Sequence, residues 1–158
     1  MKIILATDGS EHSKAAVEEI AARPFPPHTQ LRIISIFEST FLKVSQPATM
    51  GGLAGYYEEA DAVAKQLAED TIRIASEIIK EKNPALSIST KVINDSPKQA
   101  ILKEAEAFGA DLIVVGSQGL GALSRFLLGS VSQSVALHAP CSVLIVRKRE
   151  VEDEKGLE

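Results

Sequence analysis

Five short runs of mostly branched aliphatic residues, each parted from the next by a helical stretch, constrain this chain more than any other feature. The runs are Ile3 to Thr7, Leu31 to Phe37, Leu86 to Ile93, Asp111 to Val115 and Cys141 to Val146. The third alternates apolar with polar residues, while the fourth is continuously apolar after its first residue. Such runs read as strands, the continuous ones as strands buried on both faces. Between the first two, Ala15, Ala16, Val17 and Ile20 form an apolar stripe on a helix from about Glu11 to Ala22, with Ser10 at its N-cap and Pro24, Pro26 and Pro27 stopping it. A second helix from Tyr57 to Lys82 carries Ala60, Val63, Ala64, Leu67, Thr71, Ile74, Ala75 and Ile78 at helical spacing and ends at Asn83-Pro84. Ser96 and Pro97 open a third helix, which carries Ala100, Ile101, Ala105 and Phe108 and stops at Gly109. Val131, Val135 and Ala136 indicate a fourth. Strands alternating with helices predict right-handed crossovers and an α/β fold: a single open five-stranded parallel sheet with helices on both faces.

The 158 residues suit one domain, expected over 1–148, with a charged C-terminal tail over 149–158. Hydrophobic residues at 45% allow a core, and aromatics at only 4% make it an aliphatic one. The formal net charge of -4 comes with no clustered basic face, so no nucleic-acid partner is expected. No apolar stretch approaches the ~20 residues that cross a bilayer. The single cysteine, Cys141, cannot staple its own chain; it reads as a structural thiol and fits a cytoplasmic location. His12, His28 and His138 show no metal-ligand spacing and read as surface or packing residues. The irregular stretch from Glu38 to Gly55, with Pro47, Gly51 and Gly52, is expected to be a functional or mobile loop.

In open α/β sheets, ligands bind beyond the carboxyl ends of strands, where the strand order switches. Two segments have suitable chemistry there. Ala6-Thr7-Asp8-Gly9-Ser10 follows the first strand, and Gly116-Ser117-Gln118-Gly119 follows the fourth and continues to Gly129-Ser130. Glycines let the backbone approach a phosphate and adopt positive φ. Ser117 and Ser130 supply hydroxyls, and Gly129-Ser130, with Val131 next, opens a helix whose free N–H groups favour an anion. The phosphate loop that ends in Gly-Lys-Ser/Thr is absent, since no lysine lies in the segment. Gly119-Leu120-Gly121 opens like a dinucleotide fingerprint, but Ser124 stands at its third glycine and the segment follows the fourth strand, not the first. Asp8 is either a ligand residue or a carboxylate that serves the start of a helix.

These residues resemble the universal stress protein family, whose ATP-binding branch carries the pattern G-x2-G-x9-G-(S/T). Gly116, Gly119, Gly129 and Ser130 match it. The resemblance extends through Ile4 to Ser10, Ala110 to Ser117 and His138 to Val146, and covers Lys2 to about Arg147. It implies the strand order 3-2-1-4-5, with ATP between strands one and four. It further implies that Asp8 holds the ribose hydroxyls, that Ile36 pairs its backbone with adenine, and that the loop from Gly116 to Ser130 wraps the phosphates. The ligand set expected is then Ala6, Thr7, Asp8, Ile36, Gly116, Ser117, Gly119, Gly129, Ser130 and Val131. Two positions depart from the family: Gln118 stands where many relatives carry a basic or histidine side chain, and Asn94 where glycine is frequent. Arg125 either compensates in part or points to solvent. Mg²⁺ would offset the triphosphate charge. The function implied is an ATP-binding regulatory module of the stress response; the alternative is a slow ATP hydrolase or phosphoryl-transfer enzyme, for which no nucleophile–base pair stands out. The fifth strand ends the sheet with its edge unpaired, and the family often forms homodimers there.

Overall fold

The computed structural model describes residues 1–39, 54–120 and 127–148. The expectations for Pro47, Gly51, Gly52, Gly121, Ser124, Arg125 and the 149–158 tail lie outside those residues. The element order is β1 (Lys2–Ala6), α1 (Glu11–Ala22), β2 (Gln30–Phe37), α2 (Ala54–Lys82), β3 (Ser87–Asn94), α3 (Pro97–Phe108), β4 (Leu112–Gly116), α4 (Ser130–His138) and β5 (Ser142–Val146). All five strands join one sheet in the order β3-β2-β1-β4-β5, and every pairing is parallel. This is the expected α/β fold.

The sheet divides the core in two. On one face Ile3, Leu5, Leu31, Ile33 and Val114 pack against α1 and α2. On the other, Ile4, Ile34, Ile113 and Val115 pack against Ile101, Ala105 and Phe108 of α3 and Val135 of α4. Successive strand residues therefore go to opposite cores, which is why the central strands need apolar residues at every position. Each large aliphatic side chain buried this way stabilises the fold by roughly 1.5–3 kcal/mol.

The helix ends follow their local chemistry. Ser10 caps α1, its hydroxyl accepting the Ser13 N–H at 3.2 Å. Gly109 ends α3 in the left-handed region at φ 67°, its N–H reaching the carbonyls of Ala105 and Glu106. Pro97 opens α3, but the Ser96 side chain makes no capping bond. The expected face of α2 holds at Ala75 and Ile78 and needs correction elsewhere. Its buried residues are Ala68, Ile72, Ala75, Ser76 and Ile79, whereas Val63, Leu67 and Ile74 are exposed. The helix carries two neighbouring apolar stripes, and only one turns toward α1 and the sheet.

Glu104 of α3 is nearly enclosed between the helix and the sheet. It takes Arg32 of β2 at 2.6 Å and Lys91 of β3 at 2.5 Å. Burial by itself would raise its pKa, but the hydrogen bonds from Lys91 and Arg32 together outweigh that and hold the carboxyl below the ordinary glutamate range. The Arg32 guanidinium also lies 4.0 Å from the centre of the Phe108 ring. Cys141 is half-buried beside the second core, and burial, helped by Asp111, pushes its thiol upward. That disfavours the thiolate and suits a structural role.

Candidate functional site

From β1 the sheet grows outward in both directions, through β2 to β3 and through β4 to β5. The switch in strand order therefore lies at the carboxyl ends of β1 and β4, where an open α/β sheet leaves a crevice. A cleft of about 290 Å³ opens there. Every residue in the expected ligand set lines it except Ser117.

One end of the cleft is apolar. Ala6 and Val115 form its floor, and Ile36, Pro97 and Ile101 its walls. The register shows why Ile36 is there. Ala6, the last residue of β1, pairs with Ile34, and the Thr7 N–H donates to the Ile34 carbonyl at 3.0 Å. Ile36 stands two residues further along β2, past the end of β1. Its peptide groups on that side thus meet the cleft instead of a strand. Pro97 and Ile101 had no sequence assignment beyond starting and packing α3. The usable signal was their place at the carboxyl end of β3, on the same rim.

The other end is polar and built largely from backbone. Gly129 caps α4, and being glycine it brings no side chain of its own to the first N–H groups of that helix. Asp8 is the one charged side chain among the described lining residues. Its carboxylate accepts the Ser10 N–H at 3.0 Å and the Leu120 N–H at 3.2 Å. It therefore joins the turn after β1 to the loop after β4, while Ser10 itself performs the capping of α1.

The positive φ expected of the glycine pattern is not found. Among the described glycines only Gly9 and Gly109 have positive φ, so Gly116, Gly119 and Gly129 are not chosen for backbone freedom. Close approach explains them instead. A Cβ on Gly116 would lie 2.6 Å from the His12 carbonyl carbon and 2.8 Å from the Ser13 nitrogen, because β4 ends against the backbone of α1. A Cβ on Gly119 would lie 2.8 Å from the Asp8 carboxylate, and one on Gly129 3.1 Å from the Gln118 Cα.

Ser117 does not reach the cleft. It is 5% exposed, and its hydroxyl lies 3.3 Å from Nδ1 of His12. Its backbone is the junction of the loop. The Ser117 N–H donates to the Val146 carbonyl at 2.8 Å, and its own carbonyl accepts the Gly129 N–H at 2.8 Å. Ser132, which the sequence reading passed over, is buried below this junction and lines the cleft. Gln118 is also on the lining, with its amide turned back to the Leu127 carbonyl at 2.7 Å. His28 and His138 are not among the lining residues.

Among the described residues no helix is long and apolar enough to cross a membrane. Nor, among them, do three or more His, Cys, Asp or Glu side chains gather in a way that could hold a metal ion.

Comparison with known proteins gives this geometry a context. The universal stress protein family is matched over residues 1–147. A putative universal stress protein of Staphylococcus epidermidis is 30% identical over 153 residues, which span 96% of this chain and 87% of that protein. The solved structure of universal stress protein UspA from Lactobacillus plantarum superposes with a TM-score of 0.76 at 24% identity, covering 93% of this chain and 97% of that one. A universal stress protein solved in complex with cAMP gives a TM-score of 0.60 at 26% identity, covering 93% of this chain and 96% of that one.

Proposed function

Because this chain belongs to the universal stress protein family, we propose that its cleft binds ATP or a close adenine nucleotide, and that the bound state acts as a regulatory signal. One observation carries the reading: a single cleft holds an apolar slot with an unpaired strand edge at one end and a glycine-capped helix N-terminus at the other. Adenine is flat and apolar, and its edge offers an amino donor beside a ring acceptor. The slot of Ile36, Pro97, Ile101 and Val115 suits the faces, and the peptide groups of Ile36 suit the edge. Asp8 lies between the two ends, where ribose hydroxyls would meet its carboxylate. Gly129 would leave room for the phosphates, and Ser130 and Val131 would receive them with N–H groups and the helix dipole. The cAMP complex of a similar protein supports the adenine assignment.

A regulatory role is preferred to hydrolysis. Asp8 is the one carboxylate among the described lining residues, and it already accepts two amides, which suits holding rather than activating a water. Mg²⁺ would enter as the counter-ion of the triphosphate, ligated chiefly by phosphate oxygens. The same reading extends to assembly. β5 is an edge strand, and antiparallel pairing with β5 of a second copy would satisfy its outer peptide groups about a two-fold axis.

Calorimetric titration with ATP and GTP tests the adenine assignment. ATP is expected to bind at least about tenfold more tightly, because guanine reverses the donor and acceptor facing Ile36. Equal affinities would overturn it. Light scattering on the same preparations across a concentration series tests assembly, and a monomer mass at high micromolar concentration would defeat the β5 dimer.

A further inference from the structure

We propose that Ser132 and Gln118, both outside the glycine pattern, are positioning residues that clamp the neck of the loop after β4 and set the affinity for a polyphosphate tail. The proposal rests on the nucleotide reading above and adds the means by which this chain holds its phosphate end in shape.

The two limbs of the loop, Ser117 to Leu120 and Leu127 to Ser130, meet backbone to backbone. The Gly129 N–H donates to the Ser117 carbonyl at 2.8 Å. The limbs are so close that a Cβ on Gly129 would be 3.1 Å from the Gln118 Cα, 3.4 Å from the Ser117 oxygen and 3.6 Å from the Gly119 nitrogen. A contact this tight between irregular segments needs support on both sides. Ser132 supplies it from below. Its hydroxyl lies 2.8 Å from the Ser117 carbonyl and 2.9 Å from the Gly129 carbonyl, one on each limb. A hydroxyl has a single proton, so these two carbonyls share it. Ser132 is 3% exposed and sits in the first turn of α4, a helix fixed by Val135 in the core, so the clamp is anchored to a rigid element. Gln118 supplies the second strut. Its side-chain Nε2 donates to the Leu127 carbonyl at 2.7 Å, tying one limb to the other further out.

The consequence lies in preorganisation. The donors suited to a phosphate tail are backbone N–H groups at the neck and at the start of α4. Backbone donors add affinity only if they already converge, since ordering them on binding costs free energy. Gln118 stands where the resemblance would place a basic or histidine side chain. In this chain its amide is directed along the loop, and shape serves where charge would otherwise.

Calorimetry with ATP and adenosine on wild type, Ser132→Ala, Ser132→Thr and Gln118→Ala tests the proposal. Ser132→Ala is expected to weaken ATP by about fivefold to tenfold, the effect of one net hydrogen bond plus lost convergence, while adenosine stays within about twofold. Ser132→Thr keeps the hydroxyl and should restore ATP. Gln118→Ala, on a half-exposed side chain away from the core, should weaken ATP by about threefold and spare adenosine. ATP affinity equal to wild type in both alanine variants would overturn the clamp. So would equal losses for ATP and adenosine, which would show a general structural role. Wild type that binds neither ligand would overturn the nucleotide reading and the clamp with it, an outcome distinct from any variant effect.

Discussion

At the apolar end of the cleft, Ala6, Ile36 and Val115 are strand residues whose positions follow from sheet register, backed by two layers of aliphatic core. At the polar end, the limbs around Ser117 and Gly129 belong to no continuous ladder. They are held by a few hydrogen bonds from Ser132, Gln118 and Asp8. The first end is thus as stable as the fold, while the second can change without unfolding it. Local openings with free energies well below the global one are the usual property of binding loops. The glycines themselves divide along this line. Gly116 belongs to the sheet-and-helix seam, Gly119 and Gly129 to the loop.

The sharpest way to break the contrast is to enlarge both kinds of glycine. Gly116→Val is expected to destabilise the whole protein by about 3–5 kcal/mol, because its new atoms collide with the α1 backbone, which cannot step aside as a side chain would. Gly119→Val or Gly129→Val should lower the denaturant midpoint far less than Gly116→Val yet weaken ATP by about a hundredfold or more, since the obstruction lies at the neck and beside Asp8. Chemical denaturation paired with calorimetry separates the two outcomes. Normal ATP binding by well-folded Gly129→Val would remove the loop from the site.

A finer probe is Asp8, which joins the turn after β1 to the loop after β4. Asp8→Ala is expected to weaken ATP by roughly 1.5–3 kcal/mol, as for a hydrogen bond to a charged group. Titration with 2′,3′-dideoxy-ATP should show a smaller loss, though not zero, because the carboxylate also holds the Leu120 amide. Equal losses for the two nucleotides would assign Asp8 to the turn and loop alone.

The smallest effect belongs to the apolar end. Glu104 lies on the same helix as Pro97 and Ile101 and fastens it to β2 and β3 through Arg32 and Lys91. Its carboxyl is held below its ordinary value, so the folded state releases this proton more readily than the unfolded chain. The contribution is therefore fully present above the ordinary glutamate value of 4.5 and is lost as pH falls through the lower folded value. Glu104→Gln should cost about 1 kcal/mol at neutral pH, kept small by the exposure of Lys91, and should flatten the decline of stability in acid. Melting curves between neutral pH and pH 3 compare the two; parallel curves would place the acid sensitivity elsewhere.

Much of this architecture is legible in the sequence because local and global signals agree. α1 spans Glu11–Ala22 as its cap and prolines imply, and α3 stops at the glycine its pattern requires. Residues of one segment seldom reveal which face meets which neighbour, and there the reading fell short. Ala60, Val63 and Leu67 recur at helical steps of three and four, and so do Ala68, Ile72 and Ala75, so periodicity cannot choose the buried stripe of α2. Glycine invites the opposite error. Its presence at 116, 119 and 129 signals a constraint, but only the folded chain shows that the constraint is another piece of backbone or a carboxylate. Ser132 carries no motif and Pro97 only a helix-start signal, and their importance to the cleft arises from contacts across the fold. The β5 edge repeats the lesson. Val143 and Ile145 also pack against the second core, so charges placed there would disturb folding along with any pairing.

The bond from the Ser117 N–H to the Val146 carbonyl joins the first residue of the loop to the final residue of the edge strand. No hinge or sliding helix is needed for those two places to communicate. Under the nucleotide and β5 readings proposed above, a ligand that narrowed the loop's fluctuations would also narrow those of the strand terminus, and a second molecule docking along that border would meet a surface already ordered and lose less entropy in doing so. Such coupling is symmetrical: whatever steadies the border must, to the same degree, improve the grip on the ligand. The protein would then report occupancy through how willingly its edge associates, with scarcely any displacement of its average coordinates.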